Sequence, residues 1–113
     1  MKALLKEWQK RLNLLDWKIV LEEDCSPNDM QIQSQQGETE WDEVNKCAVI
    51  RILNPKDYGK RILPFDREKT LVHELLHIKL WWLQNNDCEL ENRMVHQLID
   101  EMAVALVKAK RRK

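Results

Sequence analysis

The segment Thr70-Leu71-Val72-His73-Glu74-Leu75-Leu76-His77 holds residue types and a spacing suited to metal chemistry. Two of the chain's three histidines stand four apart, with a glutamate between them. On an α-helix, positions i and i+4 share a face one turn apart, so His73 and His77 can aim their imidazoles at one ion. Neutral ring nitrogens are good zinc donors, and Glu74 lies beside them as a carboxylate free to act as general base on a metal-bound water. A catalytic zinc centre has three protein ligands and keeps one position for water, so the chain must supply one more.

The remaining histidine is His96, nineteen residues after His77. A polar turn at 85–87 lets a last helix fold back against the first, with His96 in its third turn at the border of the apolar stripe. Glu89 and Glu91 are rival donors on that helix. Asp100, one turn after His96 and on the same face, is placed to receive the second ring nitrogen of His73, which would fix its tautomer. Tyr58 and Arg51 are the candidates for a donor to an oxyanion, and Tyr58, in the loop before the metal helix, is the better of the two.

The elements that must carry these residues follow from periodicity. Leu4, Leu5, Trp8, Leu12 and Leu15 mark an amphipathic helix over 2–15. Trp17–Glu22 reads as a strand, 30–35 as a weak one broken by Gly37, and Thr39–Trp41 as its extended continuation. Cys47–Leu53 is an apolar strand closed by Asn54-Pro55. A helix beginning at Pro64-Phe65-Asp66 carries the two histidines on through Trp82 and Leu83. Asn86 with Glu89 forms a capping box for a last helix over 90–108, with Met94, Val95, Leu98, Ile99, Met102, Ala105 and Leu106 as its apolar face. A helix, a small three-stranded sheet and two further helices make a single α+β domain over 1–113.

Composition narrows the class. Charged residues are 34% and apolar residues 43% of 113, with 19 basic and 19 acidic side chains. That balance gives no general attraction to nucleic acid or to an anionic membrane. No apolar run reaches the ~20 residues needed to span a bilayer. Charges at Lys2, Lys6 and Glu7 argue against an export signal, and three scattered cysteines with no CxxC pair suit a reducing cytoplasm. They are expected to form no disulfide and to bind no metal. The basic run 108–113 is read as a helix end favoured by the macrodipole rather than as a polyanion contact. Trp81 and Trp82 are read as packing residues.

HExxH, then a ligand some eighteen residues on and an aspartate four after that, resembles the gluzincin metallopeptidases. The order of elements resembles their small single-domain members, the minigluzincins, over nearly the whole chain. The resemblance implies zinc held by His73, His77 and His96, with His96 standing where that family has glutamate. It also implies Glu74 as base, Asp100 behind a zinc histidine, and an extended peptide substrate paired with strand 47–53. Three neutral ligands would leave the full dipositive charge on the site and ionise a bound water more readily. A three-histidine set is also similar to the SprT/Spartan group, which implies proteolysis of DNA-associated proteins. A zinc-binding regulatory module that turns over no substrate, blocked by its termini or by self-association, is the alternative of a different class.

Overall fold

The computed structural model describes residues 1–30, 36–58, 65–84 and 88–112. Its elements are α1 (Lys2–Arg11), β1 (Lys18–Cys25), β2 (Gly37–Asp42), β3 (Cys47–Leu53), α2 (Arg67–Lys79) and α3 (Glu89–Arg111). Single 3-10 turns stand at Pro27–Asp29, Pro55–Asp57 and Trp81–Leu83. The fold is α+β, with three helices on one face of a three-stranded mixed sheet. Among the described residues, no helix is long and apolar enough to cross a membrane.

The strand order is β1-β3-β2, with β1 parallel and β2 antiparallel to β3. β3 alternates as a strand with one covered face should. Ala48, Ile50 and Ile52 are buried against the helices, and Cys47, Val49 and Arg51 face the other way. On that second face Arg51 is held by three carboxylates: Glu38 at 2.9 Å, Glu40 at 3.1 Å and Glu22 at 3.6 Å. The topology overturns one expectation. Strand 47–53 cannot accept a peptide strand, because both its edges already carry ladders to β1 and β2.

Several boundaries also differ from those expected. The first helix stops at Arg11, because Asn13 takes a left-handed φ of 58° that ends the helical path. The buried Gln9 fastens the turn by donating to the carbonyls of Leu14 and Trp17. This shift in register puts Leu14 in the core at 3% exposure and leaves Leu15 outside at 56%. α2 likewise ends early, at Lys79, so Trp81 packs on the core from a 3-10 turn while Trp82 is exposed. Of the weak strand expected over 30–35, only Met30 lies within the described residues, buried beside Cys25 and Leu53. Gly37 is the first residue of β2. Asn86 is outside the described residues; α3 has Cys88 at its N-cap, with no side-chain cap.

α2 and α3 run antiparallel, and ion pairs fix their register. Arg111, in the last turn of α3, donates to both oxygens of Asp66, at 2.9 and 3.1 Å. Asp66 also caps α2 by accepting from the Lys69 backbone N–H. Lys110 and Arg111 both reach Glu68, and Lys110 bridges to Glu7 of α1 at 3.3 Å. The indole N–H of the buried Trp8 donates to the same Glu68 carboxylate at 2.7 Å. The basic tail is therefore engaged within the molecule at Lys110 and Arg111. α3 buries Ile99, Ala103 and Val107, whereas Met94, expected on its apolar face, is 62% exposed and Leu98 is exposed as well.

This clamp makes a prediction. Arg111 holds the Asp66 carboxyl below its usual range against the opposing effect of burial. Burial pushes Glu68 up, but Lys110, Trp8 and Arg111 together outweigh it and leave it lowered. Depressed folded pKa values stabilise the fold fully above the unfolded carboxylate range, and that contribution is lost as acidification passes the folded values. Urea midpoints should fall on acidification below about pH 4, less so in Glu68→Gln. Glu68→Leu, which strands a buried indole N–H, should cost about 1–3 kcal/mol at neutral pH.

Candidate metal centre

The antiparallel helix pair brings His73, His77 and His96 together, with their donor atoms all within 4.8 Å of one another. The ring centroids of His73 and His77 are 4.9 Å apart, and that of His96 lies 5.0 and 5.4 Å from them. His73 and His77 are half-buried on α2, while His96 approaches from the exposed side of α3. Three histidines are thus close enough to bind a metal ion.

Hydrogen bonding settles which nitrogens face inward. The Gln84 amide nitrogen donates to the carbonyls of His77, at 2.8 Å, and Leu80, at 2.9 Å. Its oxygen must then face His77 Nδ1, 2.6 Å away, so the proton of His77 sits on Nδ1 and Nε2 presents a lone pair. His73 Nδ1 lies 3.4 Å from the Asp100 carboxylate, which favours the same tautomer. The two Nε2 atoms face each other at 3.2 Å. Two donors bound tetrahedrally at ~2.0–2.1 Å from zinc would be about 3.3–3.4 Å apart, so this pair already has the separation a bound ion requires. Both rings resist protonation. Burial, with His77 and His96 nearby, pushes His73 down to about 4 despite Asp100. Burial and His96 also lower His77 against the opposing bond from Gln84.

Asp100 is therefore beside His73, and it meets Lys69 at 3.8 Å as well. The rival donors Glu89 and Glu91 are exposed in the first turn of α3, and neither belongs to the histidine cluster found among the described residues. Tyr58 is buried with its ring 5.1 Å from Phe65, in a packing position. Arg51, held by its three carboxylates on the far face of the sheet, is not placed as an oxyanion donor. Cys25 is buried, with burial first among the effects that raise its pKa, and none of the cysteines is disulfide-bonded.

Glu74 lies under β2. Thr39 donates to its Oε1 at 2.6 Å, and the buried Gly37 backs its other oxygen. A Cβ at Gly37 would stand 3.2 Å from Glu74 Oε2 and 2.8 Å from Thr70 Cγ2, so a glycine is what lets the strand lie this close to α2. Burial pushes the Glu74 carboxyl up to about 7, with the Thr39 bond opposing and Glu38 adding to the shift. Gln84, Thr39 and Gly37 escaped the sequence reading. Gln84 stands five residues past the end of α2, so its approach to His77 depends on how the chain turns after Lys79, and no spacing within a helix signals it.

No family model matches the chain, and neither a curated protein nor a solved structure matches it.

Two outcomes follow from this geometry. Gln84→Leu and Asp100→Asn should each weaken binding of a divalent transition metal by about 10–100-fold, measured by competition with a chromophoric chelator. For Glu74 the raised pKa means that ionisation opposes folding, with a penalty that begins above the unfolded carboxyl value and is complete above pH 7. Metal-free Glu74→Gln should therefore be more stable than the parent at pH 8, by on the order of 3 kcal/mol, and nearly equal to it at pH 4.5, read from urea denaturation.

Proposed function

We propose that this chain is a zinc-dependent metallopeptidase of the HExxH type, resembling the small gluzincins. The observation that carries the reading is the pair of Nε2 atoms held 3.2 Å apart on the helix that also carries Glu74. An all-imidazole donor set with carboxylate and amide partners behind it suits zinc. Zinc bound there would supply Lewis acidity, making a water nucleophilic and polarising a carbonyl.

The chain's own groups supply the rest. His73, His77 and His96 hold the metal, with Asp100 and Gln84 fixing the tautomers of the first two. Glu74, beside the two histidines and lifted by burial in the metal-free chain, takes the role of the base that accepts a proton and then returns it. An extended peptide would add to β2, which lies over Glu74 and, among the described residues, has a strand partner on one edge only. A cytoplasmic setting agrees with three cysteines that form no disulfide.

One observation favours a second reading. Glu74 is buried and already accepts from Thr39, as a carboxyl serving only to hold β2 against α2 would be. The protein would then be a zinc-binding regulatory module that hydrolyses nothing. The SprT-like reading would need a basic surface for DNA, and the ion pairs of Lys110 and Arg111 reduce the charge that the end of α3 leaves for it.

Casein digestion with metal analysis separates the first two. The peptidase reading expects one zinc per chain in both the parent and Glu74→Ala, with cleavage in the parent alone. Full zinc and no cleavage of casein or other unstructured substrates by the parent would favour the module.

A further inference from the structure

Beside the three histidines, on the α3 side, lies a shallow open cavity of about 540 Å³ lined by Arg93, His96, Gln97 and Asp100. At about 100° per residue, Arg93 and Gln97 project from α3 on the flank of His96 that turns away from Ile99 and the core. The cavity thus has the candidate ligand His96 and the side chain of Arg93 in one wall.

Arg11, Arg51, Arg67 and Arg111 each hold a carboxylate of this chain. Among the described residues, Arg93 and Arg112 hold none, and of these two only Arg93 lines the cavity. The one acid in the cavity, Asp100, is turned to His73 and Lys69. A planar fork of N–H donors beside a metal centre is suited to a carboxylate held through two parallel hydrogen bonds.

We propose that Arg93 and the cavity it lines form a subsite for a carboxylate on the bound peptide, flanking the metal on the α3 side. The proposal deepens the peptidase reading and rests on it for the ligand's being a substrate. Two sources share the chemistry: the terminal α-carboxylate of a short peptide, or the side chain of an aspartate or glutamate within a longer one. Gln97, in the same wall, offers an amide to the adjoining peptide group. The subsite makes the centre selective, through an interaction that need not change along the reaction and so acts mainly on binding.

The test reads binding apart from turnover. Zinc-loaded Glu74→Gln protein is titrated, by fluorescence anisotropy, with four labelled alanine peptides. One ends in a free carboxylate, one in its amide, and two amidated ones carry an internal glutamate or glutamine. At least one carboxylate peptide should bind roughly tenfold more tightly than its neutral partner, the worth of a charge-assisted pair. That preference should vanish on adding Arg93→Gln, survive in part with Arg93→Lys, and be untouched by Lys108→Gln. Which pair shows it identifies the source. Repeating the titration with zinc removed by chelation separates Arg93 from a carboxylate ligating the metal, since the Arg93-dependent preference should persist. Equal binding within both pairs, or a preference indifferent to Arg93→Gln, overturns the subsite. Cleavage of the same peptides by the parent protein keeps the two ideas apart. Cleavage without an Arg93-dependent preference overturns the subsite and leaves the peptidase reading standing. An Arg93-dependent preference with no cleavage of these peptides or of casein upholds the carboxylate site and removes the peptidase reading.

Discussion

Two imidazole nitrogens that face each other across 3.2 Å with their lone pairs inward repel one another unless a cation lies between them. The arrangement is imposed from behind. Gln84 has its amide oriented by two main-chain carbonyls and leaves His77 no tautomer but the one protonated on Nδ1. Asp100 sits at the corresponding nitrogen of His73. Burial keeps both rings neutral. A helix alone would provide the i, i+4 spacing, whereas the inward lone pairs depend on where α2 stops and on where α3 lies.

The remote end of the helix pair sets the second condition. Asp66 and Glu68, at the start of α2, are tied to Arg111 and Lys110, at the end of α3. This antiparallel register carries Asp100 to His73 and His96 to both α2 histidines. Trp8 and Glu7 bring α1 into the same clamp. The sheet makes a separate contribution: β2, kept close by Gly37, lays Thr39 on Glu74 and removes that carboxyl from water. Burial under β2 raises its pKa against the opposing bond from Thr39, and it also makes Glu74 resemble a packing group. The two readings of function divide on that residue.

Much of this was legible in local pattern. The i, i+4 histidines, the bounds of β3 and the α+β order come from spacings within one element, which periodicity reports directly. Asp100 was reachable because it lies one turn from His96 on a shared face. What escaped depends on contacts between elements or on how elements end. Leu14 replaces Leu15 in the core because Asn13 turns left-handed, and Gln84 reaches His77 only because α2 stops at Lys79. The central place of β3 follows from a parallel pairing with β1 that no local pattern encodes. The basic tail was legible as a helix end, but its partners, Asp66, Glu68 and Glu7, were not, being some forty and a hundred residues away in sequence.

The central claim is a metal centre closed by three histidines. X-ray absorption at the zinc edge of the fully loaded protein tests it most directly. The account predicts three imidazole nitrogens and one light oxygen at about 2.0–2.1 Å, with one imidazole lost in His96→Ala. Two imidazoles with a carboxylate, or a spectrum unchanged by His96→Ala, would contradict it.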